Sequence, residues 1–306
     1  MQENKNLRKE EVNDDFIMMP KVDFCFKEIM YNAKVRLGFI SAVLQIQPKN
    51  IKRTTLLNTN LRKSKEKEKL GILDVRVELM DKRQIDMEMQ VREYDYWEER
   101  STYYLSKMYV DQINEGDDYE KLQKCIHISI LDFKLFSEEK DFYSQFHLRE
   151  DTRGLLYTDK LEIHVIELPK VKQMESEYPK SELLDWAKFF NIKNRKELDN
   201  MMNTNEYIDE ACNEVVKISS DEEKRLEYEA RLKAERDYNA GMKTSYRKGH
   251  EDGVSEGIEL GRDEEKTNIF KNLRALGIED EDFLAKATGL TLEKIQELMK
   301  MIDKED

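Results

Sequence analysis

Asp74, Glu88 and Gln90 are the side chains whose types and spacing could support chemistry. Two carboxylates on neighbouring strands suit a hard divalent cation such as Mg²⁺ or Mn²⁺, which prefers oxygen ligands and keeps several waters. Such a cation lowers the pKa of a bound water and neutralises charge on a phosphate, and phosphodiester hydrolysis needs both effects. These residue types therefore point to a metal site for phosphate chemistry.

The position of these residues depends on a predicted β-hairpin. Residues 72–80 and 84–92 read as two strands, and the second alternates strictly between apolar and polar side chains. If the last residue of the first strand faces the first residue of the second, Asp74 lies opposite Gln90 and diagonal to Glu88. Most charged residues in such an alternation lie on a solvent-facing hairpin surface, and spacing alone favours that interpretation over a metal site.

Further helices and strands frame the hairpin. Apolar residues recur at three- and four-residue steps over 26–45, which predicts a helix, and an aromatic-rich segment over about 94–114 predicts another. Residues 126–130 and 160–168 have the patterns of strands. Strands flanked by helices indicate an α/β or α+β domain that ends near residue 170.

The second half of the chain reads as helix. Strand patterns disappear beyond Pro179, and helical segments at about 181–217 lead into a highly charged stretch, 219–262. That stretch holds glycines at intervals of four or eight residues: Gly241, Gly249, Gly253, Gly257 and Gly261. Small residues at this spacing favour close helix contact and self-association. A frayed, charged linker is the alternative, because each interior glycine costs roughly 1 kcal/mol of helix stability.

Composition limits the class of protein. The 306 residues carry 52 basic and 65 acidic side chains, a formal charge of −13, and only 11 glycines and 4 prolines, which argues against a turn-rich β-sandwich. No apolar run of about 18 residues occurs and the start is polar, so we expect a soluble, unprocessed protein without a membrane partner. Three scattered cysteines predict a reducing, cytoplasmic setting, and the four histidines, without metal-binding spacing, are expected to be structural or exposed.

Positive charge is concentrated in one segment. An acidic chain is on average a poor binder of nucleic acid, because phosphate contacts need local positive charge. Residues 49–69, however, hold eight basic and two acidic side chains, a net charge of +6. The basic residues include Lys49, Lys52, Arg53, Arg62 and Lys63. Since the segment directly precedes Asp74, it could hold phosphates beside the metal site. An ordinary solvated loop explains the charge equally well.

Several motifs in the first 170 residues together resemble one family. They are Asp23 to Lys27 at a helix start, Ile72 to Arg76, Ile85 to Gln90, Arg100 to Lys107, Gly116 with Tyr119, and Ile163 to Lys170. The set is similar to the PD-(D/E)xK nuclease family transposases, also called Rpn family recombination-promoting nucleases. The resemblance implies an α/β (α+β) nuclease-like core, with a central mixed sheet flanked by helices, and metal-dependent cleavage of DNA.

The same resemblance implies roles for the residues of the hairpin. Asp74 and Glu88 become ligands of Mg²⁺ or Mn²⁺, with the backbone carbonyl of Met89 as a possible third ligand. Gln90 stands where the wider superfamily has a lysine, and its amide can orient the attacking water or donate to a phosphate oxygen. Lys27 or the metal itself could supply the missing positive charge.

Four more residues are placed around that site. Asp23 and Glu28 are further acidic candidates on the first helix, with a helix N-cap and a solvated first turn as the alternatives. Arg100 and Tyr104 lie four residues apart on one helical face and could approach the site or the DNA backbone. We expect Arg100 to contact the catalytic residues without taking part in the reaction itself. Most of the tyrosines of this helix should pack against the sheet.

The sequence thus predicts three regions. They are a nuclease-like core over 1–175, a helical extension over 176–218, and a charged, glycine-periodic tail with short terminal helices over 219–306. We expect a metal-dependent DNA endonuclease that promotes recombination or transposition-like rearrangement and forms a homo-oligomer through its C-terminal helices. The alternative is a catalytically inactive DNA-binding or assembly protein that keeps the fold. A purely structural helical oligomer would explain the tail but not the hairpin.

Overall fold

The computed structural model describes residues 15–51, 53–61, 72–174, 177 and 181–302. Within this part of the chain, the strands are β1 (Thr54–Leu56), β2 (Val75–Leu79), β3 (Gln84–Gln90), β4 (Cys125–Leu131), β5 (Tyr143–Arg149) and β6 (Leu156–Glu167). The helices are α1 (Asp23–Tyr31), α2 (Ala33–Leu44), α3 (Pro48–Ile51), α4 (Trp97–Val110), α5 (Val171–Met174), α6 (Glu182–Phe190), α7 (Arg195–Met201), α8 (Glu206–Ser219), α9 (Glu222–Ala275), α10 (Glu281–Thr288) and α11 (Leu292–Ile302).

The strands form one mixed six-stranded sheet, which confirms the predicted architecture. Their order is β1-β2-β3-β4-β6-β5. The central pairs β3–β4 and β4–β6 are parallel, and the outer pairs are antiparallel. All seven residues of β4 are buried, as expected for a parallel strand covered on both faces.

The β2–β3 hairpin has a different register from the predicted one. Val75 pairs with Met87, and Glu78 pairs with Gln84, so the strands are shifted by two residues. The turn lies one residue earlier than we assumed, because the Leu79 amide donates to the Arg83 carbonyl and the Lys82 amide donates to the Leu79 carbonyl. Lys82 adopts a left-handed φ of 69° in this turn. Continuing this register by one residue places Asp74, directly before β2, level with Glu88 rather than with Gln90.

The predicted helix over 26–45 is in fact two helices that break at Asn32. Asn32 has an extended backbone, and its side-chain oxygen caps α2 by accepting from the amides of Lys34 and Val35. Buried Arg36 then donates to the carbonyls of Met30 and Tyr31 and to Thr54 on β1, which fixes the break. The first of these helices begins at Asp23, as the motif from Asp23 to Lys27 predicted, and not at residue 26, where the apolar periodicity begins.

Two strands were not predicted. β1 lies inside the segment that we interpreted as a basic loop, and only three residues pair with β2. β5 is an edge strand whose residues are half-buried or exposed, so it lacks a regular apolar alternation. The last strand also begins four residues earlier than expected, because β6 extends through the β5–β6 hairpin.

The chain forms two compact units, residues 1–231 and 232–306. In the first unit, α6 and α8 pack on α1 and α2, and Phe39 contacts the rings of Trp186 and Phe190 at centroid distances of 5.5 and 5.2 Å. In the second unit, Phe270, Leu284 and Ile295 form a small core. The predicted three-part division, which concerns regions rather than compact units, stays a prediction.

Among the described residues, no helix has both the length and the apolar character needed to cross a membrane.

Candidate active site

Glu88 is the most buried of the predicted catalytic side chains. It lies on β3, between β2 and β4, and only 1% of its surface is exposed. Arg100 on α4 donates to its Oε1 atom at 2.5 Å, whereas its buried Oε2 atom has no hydrogen-bond partner among the described residues. The interpretation of this position as a solvent-facing one is therefore wrong. Burial raises the pKa of Glu88 to about 7, and the charges of Asp86 and Asp74 add to the rise.

Asp74 lies directly before β2 and pairs with α1. Its Oδ1 atom is 2.9 Å from Lys27 Nζ, and the same ammonium group is 2.6 Å from Asp23 Oδ1, one helical turn away. Burial raises the pKa of Asp74 to about 6, although the charge of Lys27 opposes the rise. Burial would lower the pKa of Lys27, but its contacts with Asp74 and Asp23 outweigh that effect and raise it. Lys27 is therefore charged and lies beside the predicted ligand.

The two acidic candidates on α1 are held by cations from α9. Arg231 lies 3.2 Å from Asp23 Oδ2, and Lys224 forms an ion pair with Glu28. Asp23 is the first residue of the helix and not its N-cap, which is Val22. The N-cap interpretation of Asp23 is thus wrong, and Asp23 instead joins Lys27 to Arg231 through its two carboxylate oxygens.

Arg100 is held in place by aromatic rings. Its guanidinium lies 5.7, 5.4 and 5.3 Å from the ring centroids of Tyr94, Trp97 and Tyr104. Tyr104 is buried in a cluster with Leu105 and Met108, so it packs on the sheet in addition to covering Arg100. The helix α4 thus delivers one cation to Glu88 and fixes its direction.

Gln90 and Met89 occupy the end of β3. The Gln90 amide donates to the backbone carbonyl of Arg92 at 3.1 Å, so its described hydrogen bond is to the backbone and not to either carboxylate. Met89 pairs with Ile130 in the parallel register and is 4% exposed. The amide would have to exchange this hydrogen bond to reach a substrate.

The predicted basic segment is only partly described. Lys49 lies in α3 and Arg53 directly before β1, and both are exposed. Lys52, Arg62 and Lys63 lie outside the described residues. The expectation that this segment flanks the metal site therefore stays a prediction.

Sequence reasoning missed two residues beside Glu88. Asp86 and His127 are 1% and 0% exposed, and His127 Nδ1 is 2.8 Å from Asp86 Oδ2. The parallel register of β3 and β4 aligns Asp86 with His127 and Glu88 with Ser129. A signal existed: His127 and Ser129 are polar positions within a strand that is otherwise entirely apolar, which is unusual for a central parallel strand.

The pKa of His127 differs from that of an isolated histidine. Burial by itself would lower the pKa of His127, but the hydrogen bond to Asp86 and the charges of Asp86 and Glu88 outweigh it and raise the pKa. His127 was expected to be structural or exposed, and it is buried. It also lies in a group with Asp86 and Glu88 whose ligand atoms, one from each residue, are all within 4.8 Å of one another.

The donor set fits a divalent cation. Asp86, Glu88 and His127 each place one ligand atom within 4.8 Å of the others, and one oxygen of Glu88 is buried without a partner among the described residues. Carboxylate oxygens are the ligands that Mg²⁺ and Mn²⁺ prefer. Burial and mutual repulsion raise the pKa values of Asp74 and Glu88, and a bound cation would relieve the repulsion.

Comparison with known proteins gives one match. The family described as PD-(D/E)XK nuclease family transposase matches residues 20–245, a range that includes every site residue named above. No curated protein and no solved structure matches the chain. The match covers more than half of the chain and agrees with the mixed sheet flanked by helices. The chain therefore belongs to the PD-(D/E)XK nuclease family transposases.

Proposed function

We propose that this protein is a DNA endonuclease that uses Mg²⁺ or Mn²⁺, held by Asp74 and Glu88, to hydrolyse phosphodiester bonds. The observation that carries the proposal is the Oε2 atom of Glu88, which is buried without a partner among the described residues. Continuing the β2–β3 register places Asp74 level with Glu88, and the chain belongs to a nuclease family. An unpaired buried carboxylate oxygen is costly, and a cation would compensate for it. The breaks would promote recombination or transposition-like rearrangement.

The side chains around the two ligands have distinct tasks in this proposal. A bound Mg²⁺ lowers the pKa of a bound water and neutralises charge on the phosphate. Lys27, charged and partly exposed, provides a second positive charge beside Asp74, and Arg100 holds Glu88 through its other oxygen. The Gln90 amide at the end of β3 gives up its hydrogen bond to the Arg92 carbonyl and then orients the attacking water. Exposed Lys49 and Arg53 attract the DNA backbone without reading sequence.

A plasmid-nicking assay tests the proposal. We expect the purified protein to nick DNA with Mg²⁺ or Mn²⁺, and Asp74→Ala and Glu88→Ala to reduce the rate by more than about a hundredfold, because each removes a metal ligand. The matched control is Glu78→Ala, which removes a carboxylate from β2 whose partner among the described residues is exposed Lys82. Equal rates for the wild type and both site variants would refute the assignment.

A catalytically inactive DNA-binding protein is the second candidate. The observation in its favour is the Gln90 amide, which stands at the position of the superfamily lysine and donates to a backbone carbonyl. DNA binding in a mobility-shift assay, without cleavage in either metal, would support this second function over the first.

We also propose that the protein forms homo-oligomers through α9. This helix runs for 54 residues, and its exposed apolar side chains include Tyr238, Met242, Tyr246, Val254 and Ile258. These residues and the glycines recur mainly at four-residue steps, so they form a line of apolar and small residues that winds around α9, along which a second helix would pack. Light scattering tests this: we expect a chain that ends at residue 231 to be monomeric and the full chain to be larger. Identical oligomeric states would refute it.

A further inference from the structure

Two exposed tyrosines lie on the loop between β3 and α4. Tyr94 is 44% exposed and Tyr96 is 73% exposed. The loop begins directly after Gln90, at the end of the strand that carries Glu88. The ring centroid of Tyr94 lies 5.7 Å from the guanidinium of Arg100, which is the group that donates to Glu88. The loop therefore borders the candidate active site.

The backbone of Tyr96 is held in an unusual conformation. It lies in the left-handed region, with φ 67° and ψ 39°, which a bulky residue rarely adopts. The next residue, Trp97, is 1% exposed, and the Arg100 amide donates to the Tyr96 carbonyl at 3.1 Å. Buried Trp97 and the first turn of α4 thus fix this backbone, while the side chain of Tyr96 stays in solvent. Strained positions of this kind cluster at functional sites.

The charge around the two rings determines how a nucleic acid can approach them. The other exposed residues over 93–99 are all acidic: Glu93, Asp95, Glu98 and Glu99. Carboxylates repel phosphates, so the outer surface of a DNA duplex, which is lined with phosphates, is disfavoured here. A base carries no charge, and in a single strand it can stack on a tyrosine ring while its phosphate points away from the loop. An aromatic surface with an acidic border therefore fits an unpaired base better than a duplex.

We propose that Tyr94 and Tyr96 form a stacking surface for unpaired bases, and that the substrate of the adjoining site is single-stranded or locally unpaired DNA. This inference rests on the proposed function, because it names the substrate class of the same site. In a duplex each base already stacks on its neighbours and is closed to a protein ring. In a single strand the face of the base is open, and every base has such a face, so the surface selects strandedness and not sequence.

Binding of short DNA strands in the presence of a chelator tests the proposal without cleavage. The probe is a single strand that carries one fluorescent purine analogue, whose emission falls when the base stacks. We expect the protein to quench this emission and to bind the strand about tenfold more tightly than the same sequence in a duplex. Tyr96→Ala should weaken single-strand binding about tenfold and restore the emission, because a stacked ring is lost. Tyr96→Phe, which keeps the ring, should bind like the wild type.

Two further variants make the result decisive. Tyr96→Asn should weaken single-strand binding even if Tyr96→Ala does not fold, because asparagine favours the left-handed backbone and can cap α4. Tyr119→Ala is the matched control: it removes a tyrosine that is 79% exposed and precedes β4, whose first residue is level with Gln84 and not with Gln90. It should bind like the wild type.

Equal affinity of the wild type for the single strand and the duplex, or an unquenched probe, would overturn the stacking surface. Unchanged single-strand binding by folded Tyr96→Asn would overturn it as well. Selective, quenched binding of the single strand without any nicking in Mg²⁺ or Mn²⁺ would contradict only the proposed nuclease function.

Discussion

The two oxygens of Glu88 have different surroundings, and this difference gives the residue its chemistry. Oε1 is fixed by Arg100, whose guanidinium lies among three aromatic rings. Oε2 is buried without a partner among the described residues. An ion pair thus holds the carboxylate in one orientation while leaving one oxygen for a ligand. Arg100 is in this sense a positioning residue.

Removing Arg100 should make folding strongly pH-dependent. Arg100→Ala leaves Glu88 buried and without its cation, so we expect a loss of about 3 kcal/mol in the free energy of unfolding at about pH 8. The loss should shrink at about pH 6, because the pKa of Glu88 is already raised to about 7 and the carboxyl is then protonated and neutral. Urea unfolding in the absence of metal measures both values.

The control for this experiment is Arg83→Ala. Arg83 pairs with half-exposed Asp81, and such surface pairs contribute about 0–1 kcal/mol. A loss at Arg100 that is equally small, or that is the same at both pH values, would contradict the role of Arg100 as the partner of Glu88.

Cation binding should weaken as the solution becomes acidic. The pKa values of Asp74 and Glu88 are raised to about 6 and about 7, so both carboxyls take up protons near neutral pH. A proton and a cation compete for the same oxygens, and we expect the Mn²⁺ affinity to fall by about tenfold for each pH unit below the pKa of a ligand that must lose its proton. Calorimetric titrations between about pH 6 and pH 8 measure this slope. A pH-independent affinity would show that neither carboxylate is a ligand.

At the scale of elements, one buried ion pair fixes the loop that follows β4. Glu167, at the end of β6, accepts the backbone amides of Leu135 and Phe136 through Oε1 and pairs with Lys170 through Oε2 at 2.6 Å. Lys170 also donates to the Phe136 carbonyl. Residues after both parallel strands are thus tied together beyond the ends of β4 and β6, where sheet hydrogen bonds stop.

Replacing the lysine of this pair should be costly. Lys170→Met leaves the fully buried Glu167 with an uncompensated charge, so we expect a loss of about 3 kcal/mol in the free energy of unfolding. The double variant Lys170→Met with Glu167→Met should recover part of the loss, because no buried charge remains. Lys172→Met, two residues away and exposed, should change stability by less than about 0.5 kcal/mol. Similar losses of stability for Lys170→Met and Lys172→Met would contradict the stabilising role of the Glu167–Lys170 ion pair.

Local patterns allowed some of these elements to be predicted and not others. The alternation in β3 and the helix start at Asp23 are local, so Asp74, Glu88 and Lys27 could be nominated from sequence and a family resemblance. The turn at Lys82 depends on a left-handed backbone, and the break at Asn32 depends on hydrogen bonds made by Asn32 and Arg36. Helical periodicity and strand alternation do not report either feature, so the hairpin register and the first helix were predicted wrongly. Asp86 and His127 meet only through a parallel pairing between distant strands, which no local pattern specifies.

At the scale of the molecule, charge and glycine are unevenly distributed. The chain has a net charge of −13, yet the candidate site is lined by cations that pair with its carboxylates: Lys27, Arg100 and Arg231. Five of the 11 glycines lie between Gly241 and Gly261 in α9. Among the described residues, the first compact unit contains the sheet, and the second contains helices and no strand.

The glycines of α9 make a prediction that separates helix stability from self-association. A Cβ added at Gly253 would meet nothing within 4 Å, so Gly253→Ala should stabilise the helix by about 1 kcal/mol in a monomer. If the glycine stripe packs against a second copy, the same change should weaken association. Melting followed by circular dichroism gives the first quantity, and light scattering gives the second.

The control for the glycine substitution is Gly38→Ala in α2. A Cβ there would lie 2.3 Å from Tyr207 Cβ on α8, so this change should destabilise the first unit. A destabilising effect of Gly253→Ala, with no change in association, would contradict the prediction for α9.

The parallel pairing of β3 with β4 also determines when the site can exist during synthesis. The β2–β3 hairpin closes over a short turn, so Asp74 and Glu88 can approach each other as soon as that segment leaves the ribosome. His127 reaches Asp86 across 41 residues, after α4 has emerged, and β4 gains its other neighbour only when β6 is complete. Non-local pairings of this kind form slowly, because the chain entropy of a long loop is lost before the contacts form. A nascent chain therefore carries the carboxylates before it carries the imidazole, and all of these side chains come together only after β4 has paired with β3.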